Sequence, residues 1–132
     1  LMQKLIYSLQ HKKPLNVKFG MDPTAPDIHL GHTVVLQKLR QFQDLGHNVQ
    51  LLFGDFTTLI GDPSGRNDTR PPLTPEQIQV NAATYNAQAF KVMMPCTPLY
   101  NSTWLNKLGF ADVIKLLAKV TVSQIMQRED FH

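Results

Sequence analysis

Phe19-Gly20-Met21-Asp22-Pro23-Thr24-Ala25-Pro26-Asp27-Ile28-His29-Leu30-Gly31-His32 is the stretch on which the fold turns. Just before it, Leu15-Asn16-Val17-Lys18-Phe19 alternates apolar and polar residues, the period of a strand. After it, Val35, Leu36, Leu39 and Phe42 recur at helical spacing over 32–45, and Gly46 supplies a C-terminal stop. Val49-Gln50-Leu51-Leu52-Phe53 follows, a mostly apolar run that predicts a strand covered on both faces. Strand, helix, strand spells a βαβ crossover, right-handed by default. The Pro/Gly-rich loop 20–31 then lies at the carboxyl end of the first strand and runs into a helix N-terminus. Open α/β sheets bind ligands at that end, and the helix offers free N–H groups and a partial positive charge to phosphate.

Outward from this unit the pattern continues. Met2, Leu5, Ile6 and Leu9 predict an opening helix that Pro14 ends. Residues 54–73 read as a loop containing Gly61-Asp62-Pro63-Ser64-Gly65. Thr74-Pro75-Glu76-Gln77 is a strong helix start, with Thr74 as N-cap, Pro75 in the first position and Gln77 closing a capping box. That helix is expected to run to about residue 93. Shorter helices are expected over 102–108, 111–119 and 121–128, the last opened by Thr121 and Gln124, with one short strand near Leu99-Tyr100. There is no internal repeat or low-complexity tract. The fold class is α/β with a parallel sheet, residues 1–73 carrying the βαβ half and 74–132 being mostly helical.

Composition bounds the function. The chain has 132 residues, about one domain, with 42% hydrophobic and 17% charged residues, so a sizeable core is expected and disorder is not. Thirteen Lys/Arg against ten Asp/Glu give +3, which permits anionic partners without demanding them. No apolar run approaches the ~18 residues of a membrane helix, and Leu1-Met2-Gln3-Lys4 does not spell a signal peptide. The single Cys96 excludes an internal disulfide and a cysteine-based zinc cage. A soluble, cytoplasmic protein with no membrane association is expected. The ends, Leu1 and His132, carry no Gly/Ser/Pro tail and read like cuts in something longer.

His29 and His32 are three apart, so in a first helical turn they share a face. Gly31 between them leaves room for a flat base to lie against backbone. Two imidazoles beside a glycine at a helix N-terminus suit phosphate and ribose. As zinc ligands they lack a third partner at sensible spacing, so no bound metal is expected. Each piece alone also fits a bland account, a histidine pair that merely caps a helix. A dinucleotide fingerprint is absent, and Gly61 to Arg66 has the wrong spacing for a P-loop, with Arg where Lys is needed.

His29-Leu30-Gly31-His32 resembles the HIGH signature of class I aminoacyl-tRNA synthetases, a four-residue match that cytidylyltransferase-like enzymes also fit. The surroundings narrow it. Gly20-Met21-Asp22-Pro23-Thr24-Ala25, Leu59-Ile60-Gly61-Asp62-Pro63-Ser64-Gly65, Asn101-Ser102-Thr103-Trp104-Leu105, Thr121-Val122-Ser123 and Arg128-Glu129-Asp130-Phe131 look like the bacterial tyrosyl-tRNA synthetase family. The resemblance covers nearly the whole chain. It implies the first half of a Rossmann-like catalytic domain with a helical connective insertion. The implied chemistry joins tyrosine to ATP as tyrosyl-adenylate, with Mg2+ accompanying the nucleotide, and then passes tyrosine to tRNA(Tyr). By the same resemblance Thr24 and His29 grip the γ-phosphate, and His32 and Gly31 hold the ribose and adenine side. Gly20 belongs to the ATP site, Asp22 lines the junction of the two substrates, and Asp62 binds the tyrosine ammonium. Arg66 and Arg70 match basic positions of a loop that closes on pyrophosphate; a solvated loop is the competing account.

Two departures qualify the match. Lys18 stands where many bacterial members have a tyrosine that bonds the substrate phenol, and Phe19 replaces a ribose-contacting cysteine. Val17-Lys18-Phe19-Gly20 looks like a second bacterial subgroup, which leaves the phenol contact unassigned. The family's Lys-rich KMSKS loop has only an imitation in Lys119-Val120-Thr121-Val122-Ser123, which reads as a helix start. A tryptophanyl-type synthetase and a non-catalytic RNA-binding or assembly fragment are the alternatives. The family dimerises through the insertion, and Phe90, Val92, Met93 and Met94 are apolar candidates for such an interface, unless they pack on the sheet.

Overall fold

The computed structural model describes residues 1–60 and 73–127. The opening helix α1 spans Met2–His11 and ends at Lys12 in a left-handed turn. Strand β1 (Asn16–Met21) leads through the loop to α2 (Leu30–Asp44), and β2 (Asn48–Phe53) follows. β1 and β2 pair in parallel from Asn16↔Asn48 to Met21↔Phe53, the expected βαβ unit. Gly46, at φ 79°, makes the left-handed turn between α2 and β2 that only glycine adopts without strain. β3 (Leu99–Tyr100) adds to the far side of β2, again parallel, in the order β1-β2-β3.

The expected loop 54–73 contains a helix, α3, over Asp55–Ile60. Its first turn is held from outside, for Asn101 Oδ1 accepts the Phe56 N–H at 2.8 Å. Two β-branched threonines with such a remote partner give no local helical signal. The residues 61–72 expected in the same loop lie outside the described chain, as does Arg128 at the end of the last expected helix.

Helix α4 spans Pro75–Ala89 and starts as expected, with Thr74 and Gln77 bonded reciprocally in a capping box. It ends four residues short of the expected 93, because Phe90–Met93 closes in turns onto the Ala89 carbonyl. The remaining helices are α5 (Ser102–Leu105), α6 (Phe110–Leu117) and α7 (Val122–Met126). Thr121 caps α7, so Lys119 to Ser123 is a helix start.

One hydrophobic cluster joins the two parts of the chain. Met21, Leu36, Leu39, Leu51 and Phe53 pack with Ala82, Tyr85, Ala89 and Met93. The expectation that β2 is covered on both faces fails: Val49, Leu51 and Phe53 are buried, whereas Asn48 and Gln50 are exposed and Leu52 half-buried. Alternate residues of a pleated strand face opposite ways, and the core lies on one side. Phe90 and Val92, each half-buried, pack against this core and Met93 is buried in it, as the alternative to an interface has it. Helix α6 exposes several apolar residues, Phe110, Ile114 and Leu117 among them.

Candidate active site

The carboxyl ends of β1 and β2 converge on Asp22. Gly54 follows β2 and donates its N–H to the Met21 carbonyl at 2.9 Å, which brings the two strand ends together. A Cβ at Gly54 would overlap the Asp22 carboxylate and the Thr57 hydroxyl, so glycine there makes the space the carboxylate occupies. Asp22 Oδ1 accepts from the Thr57 hydroxyl at 3.0 Å, and that hydroxyl accepts from Asn101 Nδ2 at 3.0 Å. Asn101 is buried at the end of β3, and its own N–H donates to the Phe53 carbonyl. A chain of hydrogen bonds therefore runs from all three strand ends to one exposed carboxylate.

The helix that receives the loop is capped by its own signature. His29 is the N-cap of α2, its Nδ1 accepting the Gly31 N–H at 3.1 Å, while the His29 N–H donates to His32 Nδ1 at 3.2 Å. The sequence reading left those N–H groups open to phosphate and began the helix at His32; the helix begins at Leu30, with its first donors already engaged. Because Nδ1 accepts in each ring, each neutral imidazole carries its proton on Nε2 and keeps one donor for a ligand. The rings lie 4.0 Å apart between centroids. A Cβ at Gly31 would come within 2.9 Å of the His29 ring, so this glycine is needed for the cap itself. Burial first, and the neighbouring His29 second, hold the His32 imidazole below its ordinary pKa of 6.5, favouring the neutral form.

Gly20 and Lys18 lie on the open face of β1, both exposed, and Thr24 is exposed just beyond Asp22, donating its N–H to the Asp22 carbonyl at 2.8 Å. At Gly20 a Cβ would make only an ordinary contact, 3.9 Å from the Leu52 carbonyl. Phe19 points to the other side and packs on the core, so it does not border this face. Asp22, Thr24, His29, Gly31 and His32 thus cluster around one loop, with Gly20 and Lys18 along the strand that feeds it. Asp62, Arg66 and Arg70 fall outside the described residues. Sequence reasoning missed Gly54, Thr57 and Asn101, which act on Asp22 from 32 or more positions away; no local pattern marks them. A surface hollow of about 260 Å³ lined by Ser8, Lys12, Lys13 and His47 lies at the amino ends of the strands, away from this cluster. Among the described residues no helix is long and apolar enough to cross a membrane, and no group of three His, Cys, Asp or Glu could hold a metal ion.

Comparison with known proteins places this geometry. The family model for class I tRNA synthetases (W and Y) matches residues 10–132. The chain is 58% identical over 133 residues to the tyrosine–tRNA ligase of Carboxydothermus hydrogenoformans, covering 99% of this chain and 32% of that one. It is 56% identical over 131 residues to that of Aquifex aeolicus, covering 98% of this chain and 33% of the other. A truncated mitochondrial tyrosyl-tRNA synthetase of Aspergillus nidulans superposes with a TM-score of 0.73 at 24% identity, over 97% of this chain and 41% of its own. The tryptophanyl-tRNA synthetase of Plasmodium falciparum gives 0.68 at 18% identity, over 96% and 33%. The chain spans about a third of the length of the curated relatives it matches. A parallel sheet with a histidine-capped helix after its first strand, and a family match over nearly its whole length, make this chain a member of the class I tRNA synthetases of the W and Y group.

Proposed function

We propose that the parent of this chain is a tyrosine–tRNA ligase, which activates tyrosine with ATP and transfers it to tRNA(Tyr). The observation that carries the chemistry is one loop with an exposed carboxylate, Asp22, at its start and two imidazole donors, His29 and His32, at its end. The likeness to two tyrosine–tRNA ligases at more than half of the aligned positions favours tyrosine over tryptophan.

In the first step the tyrosine carboxylate oxygen attacks the α-phosphorus; a P–O bond forms, the bond to the β-phosphate bridging oxygen breaks, and pyrophosphate leaves with the electron pair. No enzyme nucleophile is needed, so the protein positions the reactants and stabilises charge. His29 and Thr24 hold the γ-phosphate as negative charge moves onto pyrophosphate. His32 and Gly31 hold the ribose and adenine side, with Gly20 leaving space on β1. Asp22 faces the junction of the substrates, Asp62 takes the tyrosine ammonium, and Lys18 borders the amino-acid side. Arg66 and Arg70 are the cations assigned to pyrophosphate. Mg2+ would accompany the nucleotide and offset the charge of its phosphates.

Residues 1–73 carry the first half of the catalytic domain and 74–132 the connective segment, through which the cytoplasmic enzyme dimerises. The exposed side chains Phe110, Ile114 and Leu117, along one face of α6, support that interface. Tyrosine-dependent exchange of labelled pyrophosphate into ATP by the full-length protein is the test. Exchange with tyrosine and not tryptophan is expected, and preferential activation of any other amino acid overturns the assignment.

A further inference from the structure

The loop between β1 and α2 carries two prolines and no regular structure, yet it must present Thr24, His29 and His32 together. Its own hydrogen bonds are few. What fixes it is α4, from one side and at three successive points. Asn81, buried, donates from Nδ2 to the Pro23 carbonyl at 3.1 Å, and Pro23 is itself among the most buried residues of the chain. Tyr85, four positions on, is buried and meets the His32 ring edge-on at 6.0 Å. Gln88, three further, uses both ends of its amide. Oε1 accepts the Ile28 N–H at 3.0 Å, and Nε2 donates to Asp27 Oδ1 at 2.7 Å. Positions 81, 85 and 88 lie on one helical face. The loop is thereby clamped at its start, at its end and behind the second histidine, and the residue after the last clamp is the His29 cap.

We propose that Asn81, Tyr85 and Gln88 are positioning residues for adenylate formation, with Gln88 setting the approach of the chain into His29; this rests on the activity proposed above. A half-buried amide that is bonded at both ends fixes orientation as well as distance, because each hydrogen bond has its own preferred direction. Ile28 and His29 are consecutive, so a shift of the Ile28 amide moves the ring that caps α2 and the Nε2 donor it carries. A misplacement of about 1 Å at a reacting centre costs up to about a hundredfold in rate.

Gln88→Glu in the full-length protein separates this from general destabilisation. The introduced carboxylate still accepts from Ile28 but faces the Asp27 carboxylate with no proton between them. Adding Asp27→Asn restores a donor, with amide and acid exchanged. The expected result is a fall in kcat for pyrophosphate exchange of about tenfold to a hundredfold in Gln88→Glu. The tyrosine KM should stay within about twofold, because the clamp touches the phosphate side. Hydrogen exchange in a peptide covering 25–31 should quicken, and the double variant should recover both rate and protection. If that peptide exchanges as in the wild type, or if it quickens while kcat stays unchanged, the positioning role is overturned. A double variant no better than Gln88→Glu alone overturns it as well. Loss of tyrosine-dependent exchange in the wild-type protein would instead overturn the activity, and the exchange of 25–31 would still report the clamp.

Discussion

On the proposed function His29 has two tasks, and substitutions divide them. As N-cap it accepts the Gly31 N–H, and as a ligand donor it offers Nε2. A donor that strengthens as charge reaches departing pyrophosphate raises kcat and leaves ground-state affinity nearly unchanged. His29→Ala is therefore expected to slow adenylate formation by about 10²–10³ with little change in the ATP KM, measured by rapid mixing. His29→Asn keeps a good cap but shortens the donor, so it should retain stability and lose the rate; a change confined to the ATP KM would make His29 a ground-state binder. His32 answers to pH. Its folded pKa lies below the ordinary 6.5, so below that value the unfolded chain binds the extra proton first and stability rises with pH. The contribution is complete above 6.5 and is lost as pH falls through the lowered value. Thermal unfolding of wild type and His32→Asn as a function of pH should show a flatter curve for the variant over this window, and parallel curves would refute the shift.

At the scale of elements, Asp22 is held by the tip of one strand and the starts of two helices. Gly54→Ala would push a methyl group into the Asp22 carboxylate and the Thr57 hydroxyl, breaking the bond between them. The expected loss is about 10–100-fold in kcat/KM for tyrosine activation, checked by pyrophosphate exchange alongside a melting curve. A melting temperature reduced without a kinetic change would mean that the glycine serves packing alone. The difference in legibility between elements follows from the same geometry. α2 and β1 were readable because their apolar period and their stop at Gly46 are local, and α4 because Thr74 and Gln77 cap it within four residues. α3 was not, since its first N–H is satisfied by Asn101, 45 positions away. The histidine cluster was legible from spacing, although its self-capping geometry was not. Gly54, Thr57, Asn81 and Gln88 carry no pattern at all, because their meaning lies in partners brought close by the sheet.

At the scale of the molecule, the core and the bare apolar face of α6 have different consequences. α6 exposes Phe110 at 82%, with Ile114 and Leu117 following at helical spacing. The full-length protein is expected to sediment as a dimer at micromolar concentration. Ile114→Glu should shift it toward monomer while leaving the 21–93 core intact, since this residue takes no part in that core. A monomeric wild type, or a dimer indifferent to the charge, would assign the face to the remainder of the parent chain.

The shared core also imposes an order in time. Phe53 and Leu51 have no complete cover until Tyr85, Ala89 and Met93 exist, and the loop before His29 has no clamp until Gln88 does. On the ribosome, His32 is made about 56 residues before Gln88, a delay of roughly 3–11 s at ordinary synthesis rates. During that interval the nascent βαβ half carries an uncovered sheet and an unshaped loop. The loop that carries the two histidines thus takes its shape late, from residues made well after it.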